Sequence, residues 1–192
     1  MTRMTVRRLS LLEGALLGLL HDEPRSGYAL RKLFATTPLG HFSDSPGSIY
    51  PALARLAKQG WIAGTVENAR SLRPRQVYRL TAAGLEALEG WLREPMAPGR
   101  ISEDFSTLLL RFVFMPQTVG RAGTVRFLAA LEIDLKRQLA ELRKFYRQSA
   151  RLMPMSGRLG LRAGIEICAA HARWASLAHQ TMAGRGKTRE RT

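Results

Sequence analysis

Between Leu9 and Leu92, three short apolar-periodic segments follow one another and give way at Gly60 to two β-branched runs. Few folds accommodate that order. From Leu9 to Leu20, Leu12, Ala15, Leu16, Leu19 and Leu20 recur at helical spacing and predict a helix with one buried stripe, ended by Pro24. A second helix is predicted from about Ser26 to Ala35, with Leu30, Leu33 and Phe34 inward, broken by Thr37-Pro38-Leu39-Gly40. The third opens at Asp44-Ser45-Pro46, where Ser45 suits an N-cap and Pro46 the first helical position. Gly60 suits its left-handed C-terminal cap. Trp61–Val66 and Gln76–Leu80 read as strands joined by a polar, arginine-rich link. Thr81 caps a fourth helix carrying Leu85, Leu88 and Leu92. Helix, helix, helix, strand, strand, helix is the order of a winged helix-turn-helix, assigned to residues 1–95.

Pro95, Pro98 and Gly99 mark a boundary. Beyond it the pattern is helical throughout and predicts an all-helical dimerisation and effector domain over residues 100–183. One helix opens at Ser102-Glu103-Asp104 and runs through Phe114, stopped by Pro116. A long one spans about Gly123 to Met153, and a last one about Leu161 to Met182. The stripe Leu128, Leu135, Leu139, Leu142 and Tyr146 on the long helix, with Ile165 and Cys168 on the last, is the expected dimer interface. The alternative is that this stripe serves only the chain's own core. Residues 184–192 read as a basic, disordered tail. The fold class is mostly α.

The chain has 30 Lys and Arg against 15 Asp and Glu, a net charge of +15. Such an excess favours a polyanionic partner, nucleic acid before an anionic membrane. It is spread along the chain. Residues 1–95 hold 13 basic and 8 acidic residues (+5), 96–182 hold 13 and 6 (+7), and 183–192 hold 4 and 1 (+3). A single cysteine excludes an intrachain disulfide and suits a reducing cytoplasm. Arg3, Arg7 and Arg8 before an apolar run imitate a signal peptide, but Glu13 interrupts the run and His21-Asp22-Glu23 offers no small-residue cleavage site. No stretch reaches the ~18–20 apolar residues of a spanning helix. The expectation is a cytoplasmic protein without membrane contact.

On a wheel of the third helix, Ile49, Ala52, Leu53, Leu56 and Ala57 fall inward, while Gly47, Pro51, Ala54, Arg55 and Lys58 fall outward, with Ser48 and Tyr50 on the flanks. Small residues first and basic residues further on suit entry into a major groove. An ordinary solvent face fits the wheel equally well. The link between the strands adds Arg70, Arg73, Arg75 and Arg79 without an acid among them, suited to phosphates or a minor groove. The expected DNA-contacting set is Ser45, Gly47, Ser48, Tyr50, Pro51, Arg55, Lys58, Arg73 and Arg75, with Arg7 and Arg8 adding backbone contacts.

Ser45-Pro46-Gly47-Ser48-Ile49-Tyr50-Pro51-Ala52-Leu53, then Leu56, Gly60 and Ile62, resembles the recognition-helix signature of PadR-type regulators. Gly27-Tyr28 and Pro74-Arg75-Gln76-Val77-Tyr78-Arg79-Leu80-Thr81, with Gly84 after it, match the same pattern. The resemblance implies a homodimeric repressor on an inverted-repeat operator, with Ser48, Tyr50 and Pro51 facing the groove and Arg75 in the wing. It also implies release by a small aromatic effector in longer-tailed members, for which Trp91 and Trp174 are the candidate pocket residues; core packing is their competing role. Gln76 departs from a commonly basic position, and the wing lacks the usual glycines. A single such module reads few base pairs, so pairing is expected on general grounds too.

Other chemistry is weaker. Gly186-Lys187-Thr188 ends like a phosphate-binding loop, but Thr181 stands where its first glycine is needed. Cys168 and His171 lie one turn apart without further ligands at metal-site spacing. No cofactor, metal or enzyme chemistry is read. The competing reading is a winged-helix adaptor that presents its third helix to another protein.

Overall fold

The structure is a computed structural model and describes residues 9–42, 47–67, 75–95 and 105–184. The chain divides into two compact units, Met1–Glu94 and Pro95–Thr192.

The first unit is built around α1 (Leu11–Asp22). Ser10 and Glu13 close its N-terminus as a capping box: Glu13 N donates to Ser10 Oγ at 3.2 Å, and Ser10 N donates back to Glu13 Oε2 at 3.1 Å. The predicted single stripe is too narrow. Every residue from Leu12 to Leu20 is buried, Glu13 included. α1 is packed against α3, α4, β3 and the 3-10 turn at Pro38–Phe42, so it is the centre of the unit rather than one of its faces.

Arg25–Ser26 forms β1, a strand too short to leave a periodic signal. Ser26 then caps α2 (Gly27–Thr36), its hydroxyl accepting from Ala29 N at 3.2 Å. α3 spans Ile49–Lys58. It ends where Gly60 takes φ +71°, the left-handed conformation that an L side chain resists. β2 (Ile62–Glu67) and β3 (Arg75–Leu80) form an antiparallel hairpin with Gly64 opposite Tyr78 and Glu67 opposite Arg75. β1 pairs with the other edge of β3, giving the order β1-β3-β2. Thr81 caps α4 (Ala82–Arg93) and also donates its hydroxyl to the Gly60 carbonyl at 2.7 Å. One side chain thus ties the end of α3 to the start of α4. The mostly helical winged-helix architecture is as the sequence predicts.

The second unit holds α5 (Phe105–Thr118), α6 (Gly120–Ser149) and α7 (Met155–Gly184). Two expected boundaries move. Pro116 does not stop α5, because it falls in the last turn, where one lost amide bond is tolerable and Val119 N still donates to Met115 O at 2.9 Å. The break comes at Gly120, with φ +74°. α7 starts at Met155, directly after Pro154 and six residues ahead of the predicted Leu161, and carries the poor helix formers Gly157 and Gly160 in its first turns.

α6 and α7 are antiparallel neighbours. Arg121, at the start of α6, donates to the carbonyls of Met182 and Ala183 at the end of α7, at 2.9 and 3.0 Å. Between them Leu131 and Leu135 meet Cys168, Ala172 and Ala175, with Leu108 of α5 closing the cluster. Small residues on α7 let the helices approach closely.

Candidate nucleic-acid interface

α3 has two distinct sides. Ile49, Ala52, Leu53 and Leu56 are wholly buried and lock it onto α1 and α2. Gly47, Tyr50, Pro51, Ala54, Arg55 and Lys58 are exposed, and Ser48 is half-buried. Ala57 is exposed as well, contrary to the wheel: it sits in the last turn, beyond Leu56, the last inward anchor. The outward surface therefore runs from small residues at the N-terminal end to basic residues at the C-terminal end.

Tyr50 is seated by its neighbours. A Cβ on Gly27 would stand 2.8 Å from the Tyr50 ring, so the first residue of α2 must be glycine for the ring to lie where it does. Tyr50 still keeps about half its surface exposed. On β3 the Tyr78 hydroxyl is pushed above its ordinary pKa of 10.0, first by burial and then by the nearby Tyr50. The Tyr78 ring therefore stays a neutral hydrogen-bonding group near pH 7. On α2, Tyr28 is 63% exposed, with the Arg31 guanidinium 5.7 Å above its ring.

Arg55 has a second duty that the sequence did not reveal. Its Nε donates to Oε1 of the buried Glu13 at 3.1 Å. Glu13 was legible only as an interruption of an apolar run. Its partner lies 42 residues away, and helical periodicity carries no information at that separation.

In the hairpin, Arg75 is exposed at the start of β3. Arg79 is exposed too but faces Glu67 at 3.7 Å, so an acid shares the arginine-rich strand pair after all. Ser45, Arg70, Arg73, Arg7 and Arg8 lie outside the described residues.

Of the residues expected at a dimer interface, several are buried within the second unit. Leu128, Leu135 and Cys168 are fully buried and Ile165 is 9% exposed, in the second unit's own core. Leu139 and Leu142 pack against the same cluster, and Tyr146 is half-buried. Within α6, Leu128 and Leu135 therefore serve the unit's own core, while Leu139, Leu142 and Tyr146 keep part of their surface. The two candidate pocket residues belong to different units. Trp91 is 6% exposed against Gly14 of α1 in the first unit. Trp174 belongs to the second, where it meets Phe105 and Phe112 edge-on with ring centroids 5.4 Å apart in both cases. His171 completes that cluster, stacked on Phe105 at 3.6 Å, and burial lowers its pKa. Cys168 Sγ faces the Leu135 carbonyl at 3.7 Å. Among the described residues no group of three or more His, Cys, Asp or Glu is placed to hold a metal ion, and no helix is long and apolar enough to cross a membrane.

Residues 16–90 match the family model of the transcriptional regulator PadR-like family. The chain is 31% identical over 99 residues to the negative transcriptional regulator PadR of Bacillus subtilis (strain 168), a stretch covering 50% of this chain and 54% of that protein. The chain thus spans about half the length of that curated relative. Among solved structures, PadR of Bacillus subtilis in complex with operator DNA is 23% identical, with coverage of 89% of this chain and 98% of that one and a TM-score of 0.41. A PadR-like transcriptional regulator from Bacillus cereus is 22% identical, with coverage of 91% and 99% and a TM-score of 0.39. The family is described by transcriptional regulation. Over residues 16–90, within the unit that holds the buried α1, the two-sided α3 and the paired strands, this chain is similar to the PadR-like family of transcriptional regulators.

Proposed function

We propose that this chain is a sequence-specific DNA-binding repressor that acts as a homodimer on an inverted-repeat operator. The observation that carries the reading is the two-sidedness of α3. Its inner residues are fully buried, while Gly47, Tyr50, Pro51, Arg55 and Lys58 stay uncovered by the unit they belong to. A groove-reading helix needs that combination of rigid seating and a free outer side. Arg75 and Lys58 supply phosphate contacts, and Tyr50 a hydroxyl for a base edge or phosphate. Repression is the role named for the curated relative.

Pairing follows from the few base pairs one module reads. The contact includes the apolar side chains left uncovered on α6 and α7, such as Ile133, Phe145, Leu159 and Ile167, beside the half-buried end of the α6 stripe at Leu139, Leu142 and Tyr146. A small aromatic effector is part of the same proposal. Its place is beside the aromatic cluster of Phe105, Phe112, His171 and Trp174, whose faces suit a planar ring.

The test is selection of bound duplexes from a random pool, followed by titration over a salt series. A recovered palindromic site, bound with a steep salt dependence, supports the reading. Lys58→Ala and Arg75→Ala should each flatten the log–log salt slope by about 1. Recovery of no common sequence, with capture of a protein partner by the α3 surface, would replace it with the adaptor reading.

A further inference from the structure

A fully buried acid of α1 is bonded to a half-exposed arginine on the outward side of α3. Glu13 is fully buried, yet its carboxylate is fully oriented. Oε2 accepts from the Ser10 amide, which fixes the group to the start of α1, and Oε1 accepts from Arg55 Nε at 3.1 Å. Arg55 remains 46% exposed. A guanidinium is a rigid plane with five N–H donors. Holding Nε therefore fixes the plane and leaves the two Nη groups as the edge that solvent or a ligand can reach. The same contact sets a buried negative charge against the arginine, so the pair is far less attractive to an arbitrary phosphate than a free arginine.

We propose that Glu13 is a positioning residue for sequence discrimination. It pre-orients Arg55 so that its Nη edge meets one base edge or phosphate in one geometry, and it mutes the arginine's attraction for DNA of any sequence. The inference rests on the DNA-binding reading above. Pre-orientation removes an ordering cost that a free side chain would meet on binding, and it does so only for the matching duplex. The muted charge lowers the sequence-independent background against which discrimination is measured.

The experiment is fluorescence anisotropy on the full chain, comparing a duplex recovered from the random pool with a scrambled duplex of equal length, over a salt series. Glu13→Gln keeps the volume and an acceptor oxygen but removes the charge. It should strengthen binding to the scrambled duplex, steepen that salt slope by about 0.9, and cut the preference for the recovered duplex roughly tenfold. Arg55→Lys keeps the ion pair but has no fork to present. It should cut the preference roughly tenfold with the salt slope unchanged. A defect of folding alone would weaken both duplexes together. Circular dichroism shows whether Glu13→Gln is folded, and Arg55→Lys decides alone if it is not. Preferences within about twofold of the parent chain in the folded variants overturn the proposal. A parent chain that prefers no duplex overturns the DNA reading itself, which is a separate outcome.

Discussion

The two units of this chain are held by different kinds of contact. In the N-terminal unit, side chains bonded to backbone mark the element boundaries. Ser10 caps α1, Ser26 caps α2, Thr81 caps α4, and Gly60 turns the chain out of α3 at positive φ. In the C-terminal unit two 30-residue helices lie side by side, and Val119 at the start of α6 provides no side-chain cap. What holds them is a seam of small residues against leucines, a terminal arginine, and Glu132 of α6, which accepts from Ser176 Oγ of α7 at 2.7 Å. Local chemistry allows little choice of residue at a cap or a left-handed turn. A helical seam asks only for suitable volume. The first kind of contact fixes a surface for recognition, and the second keeps a scaffold that many sequences can supply.

The sharpest way to break the comparison is to empty the seam. Leu135 is fully buried between α6 and α7. Leu135→Ala should cost about 2–5 kcal/mol in the second unit, because the cavity adds to the lost transfer energy. Urea unfolding followed by Trp174 fluorescence, in a chain with Trp61 and Trp91 replaced by Phe, reads that unit. A loss below about 1 kcal/mol would mean that the seam is not the unit's core.

That contrast explains what could be read from the sequence. The first unit was legible because caps, turn glycines and the switch from helical to strand periodicity are local signals. Its misses were non-local: the strand at Arg25–Ser26, visible only through its pairing with Tyr78 and Val77, and the Glu13–Arg55 contact. The second unit was legible as helices and little more. Periodicity located the stripe from Leu128 to Tyr146 but was silent on what covers it, since a helix of the same chain and a helix of another copy impose the same pattern. Pro116 misled about the end of α5 because the helix carries it in its last turn, where a single amide bond is lost. Arg111, 4% exposed, has no signature in the sequence at all.

Arg55→Ala sharpens the comparison from the other side. It removes the Arg55 guanidinium from the buried Glu13 carboxylate. Loss of one member of a buried pair costs about 3–5 kcal/mol, and the half-exposed arginine places this case lower, at about 2–3. The loss should appear in the N-terminal unit alone, as a lower unfolding midpoint for Trp91 fluorescence. Weaker DNA binding by this variant would therefore mix two effects, which Arg75→Ala avoids. A midpoint unchanged by Arg55→Ala would show that the ion pair adds nothing to the fold.

Acid should separate the units by pH window. Hydrogen bonds from Lys136, then Ser176 and His179, hold Glu132 at a pKa of about 2, against an ordinary 4.5. Its folded-state pKa is lowered, so its contribution is complete above the unfolded value and fades as pH falls from about 4.5 to about 2. Burial also lowers the pKa of His171 from 6.5, so that its contribution starts to fade higher, as pH drops below 6.5. The C-terminal unit should thus lose stability in two stages. Glu132→Gln should remove the lower stage and His171→Phe the upper, each seen in thermal melts of Trp174 between pH 7 and pH 2. A single stage surviving both substitutions would assign the acid response elsewhere.

The smallest effect tests the local side of the comparison most directly. Thr81 Oγ1 accepts from Gly84 N at 3.0 Å and donates to the Gly60 carbonyl at 2.7 Å. Thr81→Ala removes both bonds and should cost about 1 kcal/mol, near the middle of the range for a lost N-cap. Thr81→Ser keeps the hydroxyl and should restore most of that loss. Rescue by serine identifies the hydroxyl as the cause, whereas equal losses in both variants would assign the role to the threonine methyl. The hydroxyl joins the end of α3 to the start of α4, so its loss should loosen the mounting of the exposed helix before it unfolds the unit. Amide exchange should then rise at Gly60 and Trp61 while the buried amides of α1 stay protected.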